Sequence, residues 1–196
     1  MDKFIIPHAD IVKPYRQGQL DTLCGLYSAI NAIRLTAYPQ KVLNKYHAQI
    51  MMEEGLEYLG QRESRILSAL SYGMRHYLKQ VLTMHLIHFA AEEWGIKIEM
   101  VKPYLKKSDN PRPIIMSFIE DSIKAGNPVG INIKGHHKHY TIISGYSQQT
   151  FRLYDSDGLT SIKRDLISIK GDKEGVRHEL VPKGVFCLSL SNPIKA

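Results

Sequence analysis

The sequence predicts a single α+β domain, with a helical first half of about residues 1–95 and a β-rich second half of about residues 96–196. Three observations predict it. Leu23, Leu26, Tyr27, Ile30 and Ile33 recur at three- and four-residue spacings, the period of a helix that buries one face. After Gly95 the texture changes to short runs rich in β-branched and aromatic residues. No repeat, low-complexity tract or proline-rich linker separates the halves, so they are expected to pack as a helical lobe on a mostly antiparallel sheet lobe.

The first helix begins at Cys24, with Asp21 or Thr22 as its expected cap. Further helices are expected from about Lys41 to Tyr58, and from Arg65 to Trp94 with a break between Gly73 and Lys79; Pro39 and Gly60 punctuate them. The expected strands are Ile96–Val101, Val129–Ile133, His139–Gly145, Thr150–Tyr154 and Val185–Leu190. One helix, Ile114–Ala125, falls between the first two.

A chain of 196 residues, 43% of them apolar, is long enough to bury a proper core. Apolar runs such as Val81–Leu86 are broken by His and charged residues well short of the roughly 18 residues that span a bilayer, and Met1–Pro14 lacks the pattern of an export signal. Two cysteines, Cys24 and Cys187, are too few for a disulfide framework and too far apart for a redox or zinc motif. A reducing, cytoplasmic setting is therefore expected, or delivery into a target cell by a route without a signal peptide. The net charge of +7 is spread along the chain. It would attract acidic proteins weakly, and a basic solvated surface accounts for it without a nucleic-acid partner.

Chemistry concentrates in two segments. In Gln17-Gly18-Gln19-Leu20-Asp21-Thr22-Leu23-Cys24-Gly25, a cysteine stands where a polar turn gives way to a helix. Unpaired N–H groups and the positive end of the macrodipole stabilise a thiolate there, and thiolate is the attacking species. The same N–H groups can hold an oxyanion, with a glutamine amide as second donor: Gln19 is the first choice and Gln17 the alternative. Gly25, lacking a Cβ, is expected to leave room for a substrate beside the sulfur. A lone cysteine on an apolar helix face is more often a small buried hydrophobe, so Cys24 needs the second segment.

That segment is a pair of strands, His139-Tyr140-Thr141-Ile142-Ile143-Ser144-Gly145 and Thr150-Phe151-Arg152-Leu153-Tyr154-Asp155. A turn around Ser147–Gln149 brings the start of the first beside the end of the second, so Asp155, or Asp157 if the strand runs on, can orient His139. An oriented imidazole is the base that activates a cysteine. A metal site at His136, His137 and His139 is disfavoured, since the first two are adjacent and no cysteine or carboxylate flanks them. His85 and His88, one helical turn apart, read as ordinary helix histidines.

Together these segments resemble the papain-like cysteine peptidase superfamily, in which a glutamine precedes a helix-opening cysteine and a histidine and then an acid or amide follow on paired strands. The His139–Gly145 strand with Asp155 is similar to the bacteriocin-leader-processing peptidases. Gln19 to Cys24 is spaced as in Josephin-type deubiquitinases, which also carry an asparagine matching Asn31. The resemblance covers about a quarter of the chain. It implies a papain-like fold, a bacterial thiol hydrolase with Cys24, His139 and Asp155 as catalytic triad and Gln19 in the oxyanion hole, a protein or peptide substrate, and no cofactor or metal. Two other functions use the same frame: glutamine deamidation or acyl transfer by an effector or toxin, and a silent binding module.

Overall fold

A computed structural model describes residues 3–18, 21–106, 110–136, 138–169 and 171–191. Strand β1 (Phe4–Ile5) precedes helix α1 (Cys24–Ala37), followed by α2 (Lys45–Gly60), α3 (Glu63–Tyr72) and α4 (His76–Trp94). After β2 (Ile98–Val101) and α5 (Pro111–Lys124) come β3 (Val129–Gly135), β4 (His139–Tyr146), β5 (Thr150–Tyr154), β6 (Ser161–Lys163), β7 (Ile167–Ile169), β8 (His178–Leu180) and β9 (Phe186–Leu190).

Local chemistry sets these bounds. Asn44 accepts hydrogen bonds from Tyr46 N and His47 N, so α2 starts at Lys45, later than periodicity alone suggests. Gly73, at φ +78°, ends α3, and the expected break narrows to Gly73–Arg75. Gly95 closes α4 in the left-handed conformation, donating its N–H to Ala90 O and Ala91 O. Asn110 caps α5, with Pro111 in the first helical position, three residues before the expected start.

The sheet runs in the order β2-β9-β3-β4-β5-β6, with β1 on β4 and β8 between β3 and β7. Every pairing is antiparallel except β7 with β8. Strand β4 is buried on both faces along its length, its polar residues His139, Thr141 and Ser144 included. Between β4 and β5 the register slips at Ser144: Ile143 faces Leu153, but Gly145 faces Arg152. This bulge leaves the Ser144 carbonyl to accept from Ile6 N at 2.9 Å, which anchors the N-terminal strand.

Helix α1 packs against α2 and α4 and against β3, β4 and β9. Of its fourteen residues only Tyr27 escapes burial, so the one-faced helix expected from spacing is in fact enclosed all round. Its polar residues are therefore bonded internally. Ser28 donates to Gly25 O and Thr36 to Ala32 O. Arg34 donates to Leu43 O and Lys13 O, and its guanidinium lies 3.9 Å from the centre of the Tyr15 ring. Asn31, wholly buried, accepts from Tyr15 N at 2.9 Å and donates to Tyr15 O at 3.0 Å. Helix α2 comes so close that a Cβ on Gly55 would lie 2.5 Å from Leu26 Cδ1.

Asn31→Ala leaves both backbone groups of Tyr15 without their partner, at a cost of about 2 kcal/mol. Urea unfolding measures this; an unchanged midpoint would mean that water replaces the amide.

Candidate active site

Cys24 is the first residue of α1. Leu23 occupies the capping position, and its aliphatic side chain makes no cap bond; Asp21 and Thr22 are used elsewhere. Asp21 accepts from Leu23 N and Gly18 N, which shapes the turn before the helix, while Thr22 donates its hydroxyl to Ala69 O of α3. The expectation that either residue caps α1 is thus corrected. Leu26 N donates to Leu23 O at 2.8 Å, while no side chain caps the N–H groups of Cys24 and Gly25 beside the sulfur. Cys24 is 8% exposed, and its Sγ lies 4.0 Å from the Thr22 carbonyl oxygen.

His139 opens β4, opposite Ile133 of β3. Its Nε2 lies 2.6 Å from Asp155 Oδ1, both side chains being buried. Ile142 faces Tyr154, so Asp155 comes one step beyond the pairing, on the face that carries Thr141 and His139. The second carboxylate oxygen of Asp155 accepts from Asp157 N at 2.7 Å and Leu159 N at 3.3 Å, which fixes the group. Asp157, the fallback partner, supplies only its backbone N–H here, and it is exposed.

The electrostatics follow from this geometry. Burial disfavours the His139 imidazolium, but the bond to Asp155, the Cys24 sulfur and their charges outweigh it and lift the pKa from 6.5 to about 10. Burial likewise pushes Asp155 up, yet the His139 bond and charge and the backbone donors bring it below 3.8. Cys187, on β9, is held above its ordinary value by burial.

Gln19 lies outside the described residues. Gln17 donates its N–H to the carbonyl of Ser156, the residue after Asp155, at 3.0 Å, and its Oε1 accepts from the Ser156 hydroxyl at 3.3 Å. His136 is exposed on the β3–β4 connection, and His137 lies outside the described residues. His85 pairs with Glu54 and stacks on Tyr58, a carboxylate contact that spacing alone does not show. Among the described residues no group of three His, Cys, Asp or Glu is arranged to hold a metal ion.

The space beside Gly25 is occupied rather than open. A Cβ there would lie 2.8 Å from Met74 Cε and 3.4 Å from Lys79 Cγ, so the glycine admits neighbouring side chains, not a substrate. Tyr140 donates its hydroxyl to Met74 O at 2.8 Å and closes the same region. Sequence reasoning passed over Lys79, although it falls in the stripe of α4 that buries Leu82, Thr83, Leu86 and Ala90. A lysine inside a buried stripe is the signal that could have found it.

No protein-family profile matches the sequence, and no curated protein matches it. Among solved structures, the chain aligns with a crystal structure of a Bacillus anthracis protein provisionally named a C39-like peptidase. The TM-score is 0.49 at 15% identity, over 84% of this chain and 90% of that one. Among the described residues no helix is long and apolar enough to cross a membrane.

The folded-state pKa of His139 lies above its ordinary 6.5, so the stability from its charge is complete below about 6.5 and is lost as pH rises toward about 10. Asp155 has the opposite sign: its contribution is present above 3.8 and is lost as pH falls through its depressed value. His139→Gln should therefore destabilise most between about pH 4 and 6.5, and the gap should narrow toward alkaline pH. Urea titrations across that range measure it, and a gap independent of pH would contradict the ion pair.

Proposed function

We propose that this chain is a papain-like cysteine hydrolase acting on peptide or isopeptide bonds, with Cys24 as nucleophile, His139 as general base and Asp155 as the carboxylate that orients the base. The observation that carries the proposal is the buried 2.6 Å bond between His139 Nε2 and Asp155 Oδ1, in a ring that also feels the Cys24 sulfur. With Nε2 committed to Asp155, Nδ1 is the nitrogen left for Cys24. The Asp155 carboxylate sustains an imidazolium, and an imidazolium sustains a thiolate.

Thiolate attack on the carbonyl carbon forms the C–S bond and shifts the carbonyl electron pair to oxygen. First-turn N–H groups of α1 receive the oxyanion, with Gln19 as the proposed side-chain donor. Collapse breaks the C–N bond, and His139 gives its proton to the departing amine. Water, deprotonated by His139, then cleaves the thioester and restores the sulfur.

A cavity of about 710 Å3 adjoins the first turn of α4, with apolar walls from Tyr77, Leu105 and Val185. Lys102, Lys106 and Lys183 stand exposed around it, a basic rim that would attract acidic side chains; Cys24, His139 and Asp155 are not among its lining residues.

Iodoacetamide should label Cys24 much faster than Cys187 at neutral pH. Cys24→Ala should abolish turnover, and His139→Ala should reduce it by about 10²–10⁴-fold, whereas His136→Ala and His137→Ala should leave it intact. Intact-mass analysis of acidic peptides, isopeptide-linked peptides and glutamine peptides reads the reaction. Cleavage with gain of water supports hydrolysis, exchange of an amide nitrogen for oxygen indicates deamidation, and equal slow labelling of both thiols would sink the nucleophile assignment.

A further inference from the structure

Lys79 is one of the largest fully buried side chains in the protein, only 1% exposed. Its Nζ has no hydrogen-bond partner and pairs with no carboxylate among the described residues. The amine lies 3.9 Å from the centre of the Phe186 ring and 5.6 Å from that of Tyr140, so aromatic faces stand beside it. Its stem runs against Gly25, the residue that follows Cys24. An unpaired buried ammonium is costly, and an amine with no other role would readily be replaced by an apolar side chain of similar length.

We propose that Lys79 is a positioning residue for Cys24: in its charged form the amine is a counter-charge of the thiolate, set inside the protein beside the first turn of α1, where no carboxylate among the described residues competes for it. The inference rests on Cys24 being the nucleophile. Of the elements packed around the amine, α1 brings Cys24, β4 brings Tyr140, β9 brings the uncharged Phe186, and α4 itself brings Thr83, whose hydroxyl is spent on the Lys79 carbonyl. Cys24 and Tyr140 are the titratable groups among these, and burial keeps the Tyr140 phenol protonated at neutral pH. Burial draws the amine down to about 7, and Cys24 is the group that opposes the fall. The sulfur and the amine therefore lie within electrostatic reach of one another. His139 supplies the mobile proton, and Lys79 supplies charge that never touches the substrate.

The test is the pH profile of Cys24 alkylation by iodoacetamide in the parent protein and in Lys79→Met, which keeps length and removes charge. The profile should move toward alkaline pH by about one unit, roughly a tenfold loss of rate on its acidic limb, while the melting temperature stays level or rises. A folded Lys79→Met with an unmoved profile overturns the proposal, since a purely packing lysine would give that result. Should the variant fail to fold, the reciprocal measurement uses the intact lysine: the Lys79 ¹³Cε titration should move to lower pH in Cys24→Ala. A Lys79 titration indifferent to Cys24 also overturns it. The two readings fail separately. Loss of the preference for Cys24 over Cys187 in the parent strikes the nucleophile itself, whereas a selective parent with an unmoved Lys79→Met profile strikes only Lys79.

Discussion

Enclosing α1 on nearly every side is the constraint from which the rest of the molecule follows. A helix without a solvent face can place polar groups only where the protein answers them, and Ser28, Asn31, Arg34 and Thr36 each find a backbone partner. Asn31 and Arg34 hold the chain at Tyr15 and Lys13, so the segment before the helix is tied to the helix body. At the end of α1 that carries Cys24, no side chain caps the helix. Rigidity along the shaft thus goes with unspent hydrogen-bonding capacity at the tip.

Charge around that tip is arranged in buried groups of different kinds. His139 and Asp155 form a bonded pair with the far carboxylate oxygen anchored by backbone, so neither charge is left exposed to the apolar interior alone. Lys79 has no such partner and relies on ring faces. A bonded pair tolerates burial because each charge stabilises the other, whereas a lone ammonium is expensive unless something nearby becomes negative.

How much of this was legible in the sequence depends on element length. Helices of ten or more residues and strands of five or more announce themselves by period, and Thr150–Tyr154 falls where alternation puts it. Strands β1, β6, β7 and β8, of two or three residues, carry no periodic signal; β1, β6 and β8 pair with longer strands, and β7 pairs with β8. Cys24 heading a helix and His139 meeting Asp155 across a hairpin could be read from order and turn chemistry. The roles of Thr22 and Gly25 could not, because each answers a distant residue: Thr22 serves Ala69, and Gly25 makes room for Met74 and Lys79. Burial of α1 on all faces was hidden for the same reason, since spacing shows which residues are apolar and not how many layers surround them.

The extra residue at Ser144 has a bearing on the chemistry that its modest geometry conceals. Side chains alternate across a strand, so adding one residue to one partner exchanges the faces of everything beyond it. Carried on without that slip, the pairing of Gly145 with Arg152 would align Thr141 with Ser156, and the histidine would share its face with a hydroxyl instead of a carboxylate. Parity, more than proximity, selects the acid in this hairpin. Drift in the sequence of either strand is tolerable as long as the count of residues between bulge and histidine stays the same.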